Sequence, residues 1–172
     1  DAAGCSTTAS VNISQPTALN VSVASIPVKC FGTNTGTINI SASGGTGPYL
    51  YQLNGGAFQA SSSYTAVGAG IYIVTVKDAN LCLSTQTISV TQPTALSVSL
   101  LAHNANCTAA NGVITSTVTG GTPIYTYAWT GGATTATASN LAAGTYSVTV
   151  RDANLCSATA SVTVGTSSAL TI

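Results

Sequence analysis

The chain has 172 residues, a net charge of zero and only 3% charged side chains against 45% hydrophobic residues, where ordinary soluble domains carry about 25% charge. Three Asp (Asp1, Asp78, Asp152), three cations (Lys29, Lys77, Arg151), one His (His103) and no Glu leave little material for acid–base catalysis. They also provide no basic patch for a phosphate backbone, so no nucleic-acid partner is expected. No apolar run approaches the roughly 18 residues of a membrane-spanning helix, and no signal peptide precedes Asp1, which reads as the start of a mature or excised segment.

The remaining composition is that of exposed β-structure. About 50 residues are Ser or Thr, and the strand formers Val, Ile and Tyr make up a large share of the apolar set. That apolar content is too high for a disordered chain.

Internal repetition organises the sequence. Asp1-Ala2-Ala3-Gly4-Cys5 is a degraded copy of Asp78-Ala79-Asn80-Leu81-Cys82, 77 residues on, which returns after another 74 as Asp152-Ala153-Asn154-Leu155-Cys156. Gln15-Pro16-Thr17-Ala18-Leu19 likewise returns as Gln92-Pro93-Thr94-Ala95-Leu96. Residues 1–16 are therefore read as the C-terminal strand remnant of a preceding repeat, 17–93 and 94–167 as two whole repeats, and 168–172 as the start of a following one. The segment reads as a window on a longer array.

Within the first repeat, strands are predicted near 18–29 with a break at Pro27, 36–43, 49–54, 57–66 in irregular pieces, 71–77 and 83–91. Tyr72, Val74 and Val76 alternate with Ile71, Ile73 and Thr75, and Tyr146, Val148 and Val150 do the same in the second repeat, the signal of half-buried strands. Turn residues separate the strands: Gly44-Gly45-Thr46-Gly47-Pro48, Asn54-Gly55-Gly56, Ala69-Gly70 and Asp78-Ala79-Asn80-Leu81. No stretch has helical periodicity. Six or seven short strands in about 75 residues predict an all-β chain of tandem immunoglobulin-like β-sandwich domains in a head-to-tail array. Tyr72 and Tyr146, each at the start of a penultimate strand, are candidate tyrosine corners. Tyr51, Tyr127 and Trp129 are candidate core aromatics, read as packing rather than as a sugar-stacking platform.

Gly120-Gly121-Thr122-Pro123-Ile124-Tyr125-Thr126-Tyr127-Ala128-Trp129, followed by Gly132-Ala133-Thr134-Thr135 and then by Leu141 through Cys156, resembles the SprB repeat of Bacteroidota surface proteins. The first repeat departs from that pattern, with Leu53 where Trp is usual and Phe58 in the hairpin that follows. Leu81 and Leu155 replace the Gly usual before the Cys, so each must take a left-handed backbone conformation or the turn must adopt another form. The resemblance implies an extracellular, cell-surface protein of the kind exported by type IX secretion and used in adhesion, filaments or gliding motility. It implies no catalytic residue and no cofactor.

The five cysteines occupy two recurring places: before the second strand (Cys30, Cys107) and after the penultimate strand (Cys5, Cys82, Cys156). Their spacing favours disulfides and an oxidising compartment over a metal site. In an immunoglobulin-like sandwich the two places lie at opposite ends, roughly 25 Å apart for strands of seven or eight residues, whereas a disulfide needs Cα atoms within about 7 Å. In a head-to-tail array the first turn of one domain faces the last hairpin of the next. This favours Cys30–Cys156 between domains; the alternative is Cys30–Cys82 and Cys107–Cys156 within domains. Cys5 is left unpaired or paired outside the segment.

Other sites are weaker. His103, in the polar stretch before Cys107, reads as part of a solvated loop, and Asp78 and Asp152 as turn formers whose carboxylates accept backbone amides. One carboxylate per repeat is too few for calcium. The sequence thus points to a non-catalytic structural segment of a secreted adhesin or filament, a disulfide-stapled stalk whose partners are neighbouring repeats. Strand edges with little charge leave lateral self-association into fibres open. The alternative is a module that itself binds polysaccharide or a surface.

Overall fold

The computed structural model describes residues 2–107 and 109–167. The alternating segments form β1 (Asn20–Ile26), β2 (Gly36–Ser43), β3 (Leu50–Leu53), β4 (Ser63–Val67), β5 (Gly70–Lys77) and β6 (Leu83–Val90). The second repeat follows with β7 (Ser97–His103), β8 (Ala105–Asn106), β9 (Gly112–Thr119), β10 (Thr126–Trp129), β11 (Thr137–Leu141), β12 (Gly144–Arg151), β13 (Ser157–Val164) and β14 (Thr166–Ser167). Among the described residues no helix is long and apolar enough to cross a membrane.

Both repeats hydrogen-bond their strands in the same order. The first has sheets β1-β2-β4 and β3-β5-β6; the second has β7-β9-β11 and β10-β12-β13. Counting six main strands in each repeat, the first, second and fourth share one sheet and the third, fifth and sixth the other. This is the ABE and CFG arrangement of an immunoglobulin-type sandwich without strand D. The second repeat adds a short parallel pair, β14 with β8, in which Thr166 faces Ala105.

In the second repeat the core follows from the alternation. Strand β12 pairs with β13 in unbroken register from Gly144↔Val164 to Arg151↔Ser157, and with β10 so that Tyr127 faces Val150 and Trp129 faces Val148. Because side chains alternate across a strand, Val148, Val150 and Val164 all point inward. They join Ile114, Ala105, Trp129, Ala138 and Leu141 in one buried cluster. Each fully buried aliphatic side chain stabilises the fold by roughly 1.5–3 kcal/mol. Trp129 also needs a partner for its indole N–H, and donates it to the Thr135 carbonyl at 2.9 Å.

By packing, the chain divides into two compact units, one of Asp1–Ala24, Asn39–Ser63 and Tyr72–Ile88, the other of Ser25–Ile38, Tyr64–Ile71 and Ser89–Ile172. Within the first unit β3 pairs with β5, Tyr51 facing Val76 and Leu53 facing Val74. Tyr51 also exchanges two backbone hydrogen bonds with Gln59, both 2.8 Å, and the Lys77 ammonium lies 4.3 Å from the centre of the Phe58 ring. The second unit holds the second repeat together with the turn around Cys30, where Val28 donates to the Thr91 carbonyl at 3.0 Å and Gly32 to the Gln92 side chain at 2.9 Å.

Residues 2–19 contain no strand, although 1–16 repeat the last-strand pattern: a strand exists only where a neighbour accepts its ladder of hydrogen bonds. His103 is the exposed last residue of β7, paired with Val113, and not part of a loop. Of the candidate core aromatics Tyr51 and Trp129 are buried, and Tyr127 is half-buried and packs against the buried cluster of the second repeat. The fully buried positions are aliphatic, among them Ile38, Val74, Val76, Ile114, Val148 and Val150, consistent with the need of a Tyr hydroxyl for a polar partner or water. The expected start of a following repeat at 168–172 lies outside the described residues.

Candidate functional site: the Asp-Asn-Cys knuckle and the Cys30–Cys156 bond

The sequence Asp-Ala-Asn-Leu-Cys builds a hairpin in which one carboxylate organises the turn. At the end of β12 the Asp152 amide donates to the Cys156 carbonyl and the Leu155 amide to the Asp152 carbonyl, both at 3.0 Å. Asp152 Oδ1 accepts the amides of Asn154 and Cys156, each at 2.9 Å, and Oδ2 reaches across to the amide of Thr122 at 2.8 Å. Only an ionised carboxylate offers acceptors on both oxygens and no donor that would oppose an N–H.

The knuckle at the end of β5 repeats this. Asp78 Oδ1 accepts Asn80 at 2.9 Å and Cys82 at 2.8 Å, and Oδ2 accepts Thr46 at 3.0 Å. Both aspartates are buried. These backbone donors, Thr46 foremost, hold the Asp78 pKa below the usual carboxylate value.

The turn on the receiving side is equally conserved between the two copies of the repeat. Gly44 and Gly45, and likewise Gly120 and Gly121, have positive φ. A Cβ on Gly45 or Gly121 would lie 2.7 Å from the Asp78 or Asp152 Oδ2 respectively, so close approach and backbone conformation both require glycine. Tyr49 and Tyr125 lock these turns, donating their hydroxyls to the Gly44 carbonyl at 2.6 Å and the Gly120 carbonyl at 2.8 Å. Sequence reasoning missed both locks. The available signal was a Tyr five residues after the first Gly in each repeat. Leu81 and Leu155 take the left-handed conformation, with φ of 64° and 66°.

At the second knuckle the surroundings are complete. Cys156 is bonded to Cys30, with Cα atoms 5.7 Å apart at a sequence separation of 126. Asn154 Nδ2 donates to the carbonyl of Lys29 at 3.1 Å and to the Thr122 hydroxyl at 2.9 Å. Phe31, Ala95, Leu96 and Leu155 line a shallow depression beside the bond.

With Cys30 bonded to Cys156, the structure does not form the pairs within repeats. The physical obstacle to them is visible in the second repeat. Cys107 lies beside β14, its thiol donating to the Ser167 carbonyl at 2.7 Å, whereas Cys156 immediately precedes the eight residues of β13 that run up to β14, a separation of roughly 25 Å. Cys5, Cys82 and Cys107 are exposed.

Of the candidate tyrosine corners, Tyr146 donates to the Ala142 carbonyl at 3.1 Å, four residues upstream, the geometry of that motif. Tyr72 occupies the same place in β5 and is half-buried.

The strand order and the duplicated knuckle define a tandem immunoglobulin-type repeat protein. More particularly, the SprB repeat family matches two segments of the chain, residues 22–58 and 102–134. Cys30 and Cys107 fall inside those segments; both knuckles lie beyond them. Among solved structures, the amphioxus IgVJ-C2 molecule is 13% identical, with a TM-score of 0.34 over 88% of this chain and 98% of that one. No curated protein matches the chain.

Proposed function

We propose that this chain is a non-catalytic structural segment of a secreted cell-surface adhesin or extracellular filament, in which a disulfide between successive repeats makes a stalk or shaft. The SprB matches support a repeat region of a surface protein. The Cys30–Cys156 bond carries the finer reading, because it joins the first cysteine position of one repeat to the second position of the next. Both buried carboxylates are committed to backbone amides, so their chemistry is that of turn locks.

The test is peptide mapping of the native protein without reductant, together with a glycan array. A linked pair of Cys30 and Cys156 peptides and no glycan binding is the expected result. A Cys30–Cys82 pair would overturn the stapled arrangement, and reproducible glycan binding abolished by changing an exposed aromatic would make the chain an adhesive module.

A further inference from the structure

The knuckle at Cys82 is built like the one at Cys156. Asp78 fixes the Asn80 and Cys82 amides as Asp152 fixes those of Asn154 and Cys156. Asn80 Nδ2 donates to the Thr46 hydroxyl at 3.0 Å as Asn154 does to Thr122. The difference lies in what is docked. Asn154 gives its second N–H to the Lys29 carbonyl and Cys156 takes the sulfur of Cys30. Among the described residues Asn80 has no second acceptor, and Cys82 is an exposed thiol.

The complementary turn also has a second copy. Cys30 stands two residues after Val28, whose amide donates to the Thr91 carbonyl at 3.0 Å. Cys107 stands two residues after Ala105, whose amide donates to the Gly165 carbonyl at 2.9 Å. Cys107 is exposed as well. The chain therefore carries one docked pair, and a second knuckle and turn at the equivalent positions without a disulfide; in that turn the Cys107 thiol donates to the Ser167 carbonyl at 2.7 Å, and the Asn106 carbonyl accepts the Ala109 amide at 3.3 Å, which leaves its second lone pair for a further donor.

We propose that the knuckle Asp78–Cys82 is a docking site for the Asn106–Cys107 turn of a second copy of this chain, sealed by an intermolecular Cys82–Cys107 disulfide. The Asn106 carbonyl takes the place that Lys29 has at Asn154 and receives the second N–H of Asn80. The contact is heterologous, one patch meeting a different patch, so it adds copies in series instead of closing a symmetric dimer. In the bond-forming step the two thiols lose two protons and two electrons to a low-molecular-weight disulfide such as oxidised glutathione, which leaves as two thiols. This inference rests on the stapled-repeat reading and extends it from one chain to many.

The experiment uses the full chain carrying Cys5→Ser, oxidised in a glutathione buffer over a range of protein concentrations. It is read on non-reducing gels and by peptide mapping. A ladder of covalent multimers with Cys82 peptides joined to Cys107 peptides is expected. Adding Cys82→Ser or Cys107→Ser should abolish the ladder, and mixing those two variants should restore a single dimer band. Asn80→Ala should slow linkage about fivefold, the worth of one hydrogen bond, without removing a thiol. Monomers throughout, Cys82–Cys82 or Cys107–Cys107 links, or either variant multimerising alone would overturn the proposal. Mapping Cys30–Cys156 in the same samples separates the two ideas: if that bond is present, only the docking fails; if it is absent, the stapled reading has failed first.

Discussion

The carboxylate of Asp152 accepts the backbone N–H of Thr122, 30 residues earlier in the chain, at 2.8 Å. One buried side chain thereby ties the last hairpin of the repeat to its double-glycine turn. Asp152→Ala leaves three amides without an acceptor and should cost about 2–4 kcal/mol, seen as a lower urea midpoint. Asp152→Asn, which keeps one acceptor oxygen and brings an opposing NH2, should recover only part of the loss.

Acid should weaken the fold through Asp78. Its pKa is lowered in the folded state, so the carboxylate contributes stability that is fully present above its unfolded value, near 3.9, and is lost as pH falls through the folded value. Urea midpoints measured from pH 7 downward should stay level to about pH 5 and then decline. With no Glu and one exposed His, a steep change between about pH 5 and 8 would contradict this account.

Gly121→Ala should be worse than an ordinary turn substitution. The left-handed φ of 65° disfavours a Cβ by about 1 kcal/mol, and that Cβ would press on Asp152 Oδ2 at 2.7 Å. A loss of about 2 kcal/mol or more is expected by denaturation. Gly47→Ala, where a Cβ meets nothing within 4 Å, is the control.

Tyr64→Phe should be neutral or stabilising by up to about 1 kcal/mol. The Tyr64 hydroxyl is buried without a hydrogen-bond partner, a desolvation cost that deleting the oxygen removes. Thermal melting of the variant measures it; a clear drop in Tm would reveal a partner for that oxygen.

Breaking Cys30–Cys156 should be the largest single perturbation. In the chain-entropy treatment a loop of 126 residues restrains the unfolded chain by about 5 kcal/mol. Comparing Cys30→Ser/Cys156→Ser with the parent by denaturation reads that difference.

The period-two alternation at Tyr72, Val74 and Val76 and at Tyr146, Val148 and Val150 made the strands legible, because burial on one face demands it. The identical pentapeptides made the repeats legible. The reach of Asp78 to Thr46 and the Tyr49 and Tyr125 hydroxyl locks were not, since each depends on two turns meeting that are far apart in sequence. Pairing at 1–16 was not legible for a related reason: alternation states what a strand would bury, but a strand forms only against a neighbour, and Val11 and Ile13 are 85% and 89% exposed.

The bond also decides how the chain bears tension. A pull applied at its two ends enters along β1, crosses from Cys30 to Cys156 and leaves along β13, so the stretch between them, a sequence separation of 126, is bypassed. At about 3.5 Å per extended residue, on the order of 400 Å of contour is withheld from stretching. Five of the six main strands in each repeat lie inside that protected loop and feel no direct pull until the sulfur bridge is reduced.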